Sequence, residues 1–299
     1  MTGLANVQKE QKRVIEMCQF TWDMQAASEI LSFERDIYSW YLQHRPECKS
    51  VYLPLFWTAI WRVVHDYPSD AVLELMERVS DIYNSLNKDI PYHTITSEVH
   101  CNKQTFPELP SNVQVYGPGY GKNDKIICHE IPLLPLTQKM YFNFKRDIFC
   151  SYFISGEYSC RKRLNEFLYG HEGSGHPGFF VSYRIPSCIY NELLSRSTFA
   201  LTPRGTNISA YRIYEAIQYG AIPVYISDKF SLPYSEEVNW SMIAVLVYIN
   251  DIEKIPEILR RITPERIHQM QEYGQWFFEN YVQLDKMCER IFAHANQVN

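Results

Sequence analysis

The chain has 299 residues, of which 46% are hydrophobic and 21% charged, a composition typical of a globular protein with one large core or two smaller ones. Its formal net charge is −5 and no basic stripe is present, which argues against a dedicated nucleic-acid partner. Neither a signal peptide nor a membrane span is predicted, because residues 1–13 are polar and no apolar run reaches about 18 residues.

The first half of the chain alternates predicted helices with short predicted strands. Residues 1–43 and 71–86 carry apolar side chains at helical spacing, so we predict amphipathic helices there. Residues 46–57 predict a strand that runs into a helix. Further strands are predicted at residues 91–96, 113–116 and 125–131. This alternation is typical of an α/β domain.

Two prolines in residues 132–139 interrupt the alternation and predict a linker. We therefore predict two α/β domains, at residues 1–140 and 141–299. The second is predicted to open with a strand at residues 147–153.

A long C-terminal helix is predicted from Pro264, with Thr263 as its cap and the proline at its first position. Apolar residues at helical spacing extend this helix to about residue 293.

Residues 199–233 predict a strand–loop–helix–strand unit. An apolar run at residues 199–201 meets a turn, and a helical pattern of apolar residues follows from Ala210. Gly220 stands where a residue in the left-handed conformation commonly ends a helix, and residues 221–226 form a second β-rich run. This order predicts a βαβ unit and a parallel sheet.

The first turn of this unit has the residues of an anion site. Arg204 can offer two parallel N–H donors to a phosphate, Gly205 lets the backbone come close, and the helix N-terminus favours negative charge. Arg212 and Glu215 lie near one another on the helix, where Glu215 is placed to accept hydrogen bonds from a ribose diol. The alternative is an ordinary βαβ unit with an Arg212–Glu215 surface pair. The candidate helix caps are Thr206, Asn207 and Ser209.

Six short motifs are spaced in order from this turn onwards. They are Pro203-Arg204-Gly205, Ser209-Ala210-Tyr211-Arg212, Glu215-Ala216-Ile217, Gly220-Ala221-Ile222-Pro223-Val224, Leu232-Pro233 and Asn239-Trp240. Together they resemble the donor-binding signature of the exostosin-type glycosyltransferases, glycosyltransferase family 47. The resemblance implies an α/β fold of the GT-B type, in which two Rossmann-like domains face each other across a cleft. In such folds the last helix often crosses back to the first domain.

The resemblance also implies that the second domain binds a uridine diphosphate (UDP) sugar. The donor-binding residues that it implies in the loop and helix are Arg204, Gly205, Asn207, Ser209, Arg212 and Glu215. The family also has a helix-borne arginine that approaches the diphosphate, and either Arg161 or Arg163 matches it. The alternative for these two residues is a solvated basic helix start.

Inverting transfer to a glycan hydroxyl is the reaction that the family resemblance implies. It needs one general base, expected in the first domain, and no enzymic nucleophile. Residues 97–100 look like a family segment that ends in a histidine, so Glu98 and His100 are the predicted catalytic residues. Val99 replaces the polar residue that the family has before this histidine, which leaves the base open. The alternatives are His93, His129 and Glu130.

No metal or other cofactor is expected, because no DxD pair follows an apolar strand as a metal-chelating GT-A site requires. Arginines and the helix N-terminus would then neutralise the leaving diphosphate. The expected partners are a UDP-sugar and a glycan acceptor, without nucleic acid.

The eight cysteines are scattered, with no CxxC pair, which argues against a zinc site and favours reduced thiols in the cytoplasm. A glycan on the sequon at Asn207 would block the donor loop, and the start at Met1 also favours a natural cytosolic protein. In this respect the chain is similar to soluble exostosin-like enzymes of large algal DNA viruses, which suggests xylose as the donor sugar.

Two other functions are compatible with parts of the sequence. A protein that kept the donor fold but lost catalysis would bind a nucleotide or glycan without turnover. A Rossmann oxidoreductase is disfavoured, because the chain lacks a GxGxxG turn.

Overall fold

The chain folds as two compact units, which are described by a computed structural model. The described residues are 2–27, 33–66, 69–96, 108–117, 128–132, 145–154, 159–169, 177–183, 185–205, 208 and 210–297. Unit 1 comprises Met1–Ile131 and Leu284–Asn299, and unit 2 comprises Pro132–Gln283. The C-terminal segment Leu284–Asn299 groups with the first unit. The predicted boundaries placed it in the second domain, with the expectation from the resemblance that the last helix crosses back to the first.

Unit 1 combines helices with four short strands. Its elements before residue 131 are α1 (Thr2–Ala27), α2 (Phe33–His44), β1 (Val51–Tyr52), α3 (Trp57–Asp66), α4 (Ser69–Ser85), β2 (Tyr92–Ile95), β3 (Val113–Gly117) and β4 (Cys128–Glu130). The strands pair in the order β1-β2-β3-β4, and all pairs are parallel. The predicted strands at residues 91–96 and 113–116 are confirmed, and β4 lies in the described part of the strand predicted at residues 125–131. The helical stretch predicted at residues 1–43 contains two helices.

Helix α1 covers the outer edge of β1. Gln11 donates from Nε2 to the carbonyl oxygen of Tyr52 over 2.7 Å, and its Oε1 accepts from the Tyr52 N–H over 2.7 Å. The amide of Gln11 thus takes the place of a neighbouring strand, which protects an edge that would otherwise invite pairing with another chain.

Unit 2 is a doubly wound α/β unit. Its elements are β5 (Ile148–Ile154), α5 (Ser159–Tyr169), β6 (Phe179–Tyr183), α6 (Ser187–Arg196), β7 (Ser197–Pro203), α7 (Tyr211–Gln218), β8 (Ile222–Ser227), β9 (Val245–Tyr248), α8 (Ile255–Arg260) and α9 (Pro264–Phe277). The five strands are parallel and lie in the order β6-β5-β7-β8-β9. Counted from β5, this is the flavodoxin-like order of second, first, third, fourth and fifth strand.

The central strands of unit 2 form its core. Strand β8 is buried along its whole length, and β7 is buried at every position except Thr198. Strands with helices on both faces are expected to be continuously apolar rather than alternating. The predicted βαβ unit at residues 199–233 is therefore confirmed.

The C-terminal helix is broken, in contrast to the single helix predicted from Pro264 to about residue 293. Thr263 caps α9 as predicted, since its Oγ1 accepts from the Arg266 N–H. A π-helical turn at Phe278–Val282 follows α9, and the extended backbone of Gln283 (ψ 140°) ends the helical run. Helix α10 (Leu284–Gln297) then begins and belongs to unit 1.

Candidate functional site

The carboxyl ends of β5 and β7 define the expected ligand position in unit 2. From β5 the chain continues through α5 to β6 on one side, and from β7 it continues through α7 to β8 on the other. The loops after these adjacent strands therefore diverge at the carboxyl edge of the sheet. Doubly wound sheets bind their ligands in the crevice that such a divergence creates.

Arg161 and Gly205 meet at this crevice. Arg161 lies in the first turn of α5, and Gly205 lies just after β7. A Cβ built on Gly205 would be 3.1 Å from Arg161 Nη2 and 3.6 Å from its Cζ. The guanidinium therefore lies directly against the Gly205 backbone, and it places a positive charge where the two loops separate.

Arg163, the alternative donor arginine, contacts Asn250 and Glu253. Its Nη1 donates to Asn250 Oδ1 over 2.9 Å, and its Nη2 lies 3.4 Å from Glu253 Oε1. The arginine side chain is 40% exposed and the glutamate 62%. The structure thus brings Arg161, rather than Arg163, to the glycine that follows β7.

Arg204 is held by a carboxylate at the end of the next strand. Its Nε lies 2.9 Å from Asp228 Oδ1, and its Nη2 donates to Oδ2 over 3.0 Å. The backbone N–H of Arg204 donates to the carbonyl oxygen of Ile226, which continues the β7–β8 ladder by one residue. One hydrogen bond and a close ion-pair contact thus hold the guanidinium against the Asp228 carboxylate. Asp228 is not among the functional residues predicted from the sequence.

The two charged residues of α7 each have a partner on a neighbouring element. Arg212 donates from Nη1 to the carbonyl oxygen of Phe153, near the carboxyl end of β5. Glu215 Oε2 accepts from the hydroxyl of Tyr190 on α6 over 2.7 Å. Arg212 therefore connects α7 to the strand that carries one wall of the crevice.

The N-cap residue of α7 is Ala210, which has no capping side chain. The predicted caps Thr206, Asn207 and Ser209 therefore do not occupy this position. All three lie outside the described residues, including Asn207 and Ser209, which were also predicted to bind the donor.

Gly220 ends α7 as predicted. Its φ is 68°, in the left-handed region that favours glycine. The Gly220 N–H donates to the Ile217 carbonyl, and the Ala221 N–H donates to the Ala216 carbonyl. These two bonds form a Schellman motif, which positions the chain for entry into β8.

The predicted catalytic residues Glu98 and His100 lie outside the described residues. Of the alternatives, His93 is only 1% exposed, which leaves no surface for an acceptor hydroxyl. His129 is half-buried, and its Nε2 lies 3.0 Å from Gln114 Oε1; burial and the nearby His294 lower its pKa to about 4. The described part of unit 1 therefore favours a structural role for His93.

A sequence model of the Exostosin GT47 domain matches residues 142–262, the span that contains all the described contacts of the crevice. Residues 142–262 are therefore similar to an exostosin GT47 domain. The predicted family resemblance is confirmed, and the matched span runs from before β5 to after α8.

Curated relatives match about a third of the chain. The identity is 37% over 93 residues to the Exostosin-1 homolog of Caenorhabditis elegans, which covers 31% of this chain and 24% of the relative. The identity is 32% over 117 residues to Exostosin-1 of Bos taurus, covering 36% of this chain and 16% of the relative. The chain thus spans a quarter or less of the length of these relatives.

Unit 1 and unit 2 each have the parallel α/β fold that is found in GT-B glycosyltransferases. An α-glucosyltransferase solved in complex with UDP and a 13-mer DNA superposes with a TM-score of 0.51, at 8% identity. The alignment covers 78% of this chain and 77% of that structure. Two Rossmann-like α/β units with parallel sheets are therefore confirmed as the fold class.

The described residues contain neither a cluster of metal-ligating side chains nor a helix that could span a membrane. No group of three or more His, Cys, Asp or Glu residues is arranged to hold a metal ion within the part of the chain that the structure describes. In the same residues, no helix is both long and apolar enough to cross a membrane.

Proposed function

We propose that the chain is an inverting glycosyltransferase that moves a sugar from a UDP-sugar to a hydroxyl group of a glycan acceptor. The observation that supports this most directly is the Arg161 guanidinium against the Gly205 backbone, at the crevice of an exostosin domain. Positive charge aimed at a leaving diphosphate stabilises the negative charge that develops on it.

The proposed reaction is a single displacement at the anomeric carbon. The acceptor oxygen forms a bond to this carbon while the bond to the diphosphate oxygen breaks, and UDP leaves with the electron pair. A general base removes the proton of the acceptor hydroxyl, and Glu98 or His100 is proposed for this role. Arg161, Arg204 and Arg212 are proposed to bind the diphosphate without an obligatory metal, and xylose is the proposed sugar.

A thermal-shift panel of UDP-sugars, each with and without a chelator, tests this proposal. A ligand at about 100 times its Kd stabilises the native state by about 2.7 kcal/mol, enough to shift the midpoint by several degrees. We expect stabilisation by UDP-xylose that the chelator leaves unchanged. A shift abolished by the chelator would contradict metal independence, and no shift with any UDP-sugar would contradict the donor site itself.

Binding without transfer is the second candidate, favoured by Val99 in place of the polar residue of the family segment. A glycosyltransferase would cleave its UDP-sugar, whereas a binding protein would leave it intact. We expect release of UDP from a UDP-sugar in the presence of a glycan acceptor, and a large loss of this release in Glu98→Gln. A protein that binds the donor but never releases UDP would support the degenerate alternative.

Gly205→Ala should weaken UDP binding several-fold without a large change in stability. The new methyl group would lie 3.1 Å from Arg161 Nη2, so the end of this flexible side chain must move away from the crevice. Displacement of one charge-assisted contact costs about 1.5–3 kcal/mol when the contact is lost completely, and less when it is only shifted. Calorimetric titration with UDP checks the affinity, and urea unfolding checks the stability.

Gly274→Ala is the matched control, since its added Cβ would meet only Ile217 Cγ2 at 3.6 Å, an ordinary contact. We expect parental UDP affinity in this variant. Parental affinity in Gly205→Ala as well would show that the close approach of Arg161 is unimportant.

A cytoplasmic location is also proposed. It is supported by Cys18, Cys48, Cys150, Cys160 and Cys288, which are free thiols in the structure. An endoglycosidase-sensitive glycan on the protein from its natural source would contradict this location.

A further inference from the structure

Tyr190 and Glu215 join two helices on one face of the unit 2 sheet. Tyr190 of α6 packs against a buried cluster that includes Leu194 of α6 and Ala216 of α7. Its hydroxyl donates to Glu215 Oε2 over 2.7 Å. One of the two carboxylate oxygens is therefore fixed by a side chain from the neighbouring helix.

The hydroxyl of Tyr190 is a dependable donor. Burial raises its pKa far above the ordinary range for tyrosine, and the adjacent Glu215 raises it further. The raised pKa favours the protonated phenol, which donates to the carboxylate. A carboxylate that accepts a bond from a partly buried phenol loses the freedom to rotate between side-chain conformers.

The carboxylate retains enough acceptor capacity for a diol. An ionised glutamate has about four lone-pair positions, and the Tyr190 bond occupies one of them. About three positions remain, whereas the vicinal hydroxyls of a ribose need only two. The fixed carboxylate can therefore accept from both hydroxyls at once, without giving up the tyrosine.

The tyrosine is also tied to the strand that borders the crevice. Its ring centroid lies 4.8 Å from that of Phe153, in an edge-to-face contact. The carbonyl oxygen of Phe153 is the acceptor for Arg212. Tyr190 thus contacts Phe153, the β5 residue whose carbonyl oxygen accepts from Arg212. The same tyrosine donates to Glu215, the acidic residue of α7.

We infer that Tyr190 is a positioning residue which, through Glu215, makes the site selective for ribonucleoside over 2′-deoxyribonucleoside diphosphates. This inference rests on the proposed function, since it assumes that the crevice binds UDP. A hydroxyl that pairs with a fixed, partly buried carboxylate contributes much more to affinity than one that pairs with a mobile carboxylate.

Calorimetric titrations of UDP and 2′-deoxy-UDP into the parent protein, Tyr190→Phe and Glu215→Gln test the inference. The phenylalanine keeps the ring against Phe153 and removes only the hydroxyl. We expect the parent to prefer UDP by about tenfold or more, and Tyr190→Phe to reduce this preference to about threefold or less. Glu215→Gln should reduce it similarly, and the double variant should add little, because both changes act on the same carboxylate.

Tyr152→Phe is the matched control for the loss of a buried tyrosine hydroxyl. Tyr152 donates to Asn165 Oδ1 over 3.1 Å in the same unit, on β5 and α5. We expect a loss of stability in this variant and a parental ratio of the two affinities.

The results that would contradict this inference differ from those that would contradict the proposed function. If Tyr190→Phe weakens both ligands equally, or weakens neither, the tyrosine has only a structural role and the inference is wrong. If the parent does not bind UDP at all, the proposed function fails and the inference fails with it.

Discussion

Arg161→Ala is expected to weaken UDP binding by about 10- to 100-fold, the largest effect of any single substitution in the crevice. The removed guanidinium lies against the Gly205 backbone, where the loops after β5 and β7 diverge. A charge-assisted hydrogen bond contributes about 1.5–3 kcal/mol, and about 1.4 kcal/mol corresponds to a tenfold change in affinity. Calorimetric titration of UDP at fixed ionic strength measures the loss.

Arg163→Ala is the natural control, because it removes the same charge from the same helix two residues away. Its guanidinium bonds Asn250 and approaches Glu253, both at the surface. We expect a UDP affinity within about twofold of that of the parent, because the two described partners of Arg163 lie outside the crevice. Exposed ion pairs such as this one contribute at most about 1 kcal/mol to stability. If Arg163→Ala weakened UDP binding more than Arg161→Ala, the donor arginine would be wrongly assigned.

The sequence could predict the parts of the site that depend on residues close together in the chain. The strand, turn and helix at residues 199–233 follow from local apolar spacing, and Gly220 is recognisable because few other residues adopt its positive φ. The choice between Arg161 and Arg163 could not be made in this way. Residues two apart on a helix point about 200° from one another, so an uncertainty of two residues in the helix start reverses the answer.

The partners of the charged residues were missed for a different reason. Asp228 and Tyr190 are 24 and 25 residues distant in sequence from Arg204 and Glu215. They become neighbours only when β8 pairs with β7 and when α6 packs beside α7. The strands at the two edges of the sheet, β6 and β9, were also not predicted.

His93 in unit 1 should make the protein sensitive to acid. Its ring is buried, and its Nδ1 lies 2.8 Å from Ser50 Oγ. The Ser50 hydroxyl donates its own proton to the carbonyl oxygen of Ala295, so the Nδ1–H of His93 must be the donor in the histidine–serine bond. Nε2 is then an acceptor, buried and without a hydrogen-bond partner among the described residues. A proton on Nε2 would place a charge there without an acceptor, and burial accordingly lowers the pKa to about 3.

The sign of the effect follows from the difference between the folded and unfolded states. The pKa of the His93 ring is about 6.5 in the unfolded chain and about 3 in the folded protein. Between these two pH values only the unfolded state binds the proton. The contribution of His93 to the free energy of unfolding is therefore fully present above about pH 7 and decreases as the pH falls. For this one residue the free energy of unfolding should decrease by about 2 kcal/mol between pH 7 and pH 5.

Urea unfolding of the parent and of His93→Asn at pH 7 and pH 5 isolates this contribution. The asparagine does not titrate, so we expect the variant to be less stable at pH 7 but to lose about 2 kcal/mol less than the parent on acidification. Because the comparison concerns the change with pH, it holds even though the substitution itself destabilises the core. An equal loss in the parent and in His93→Asn would show that His93 is already protonated in the folded protein, or that it titrates equally in both states.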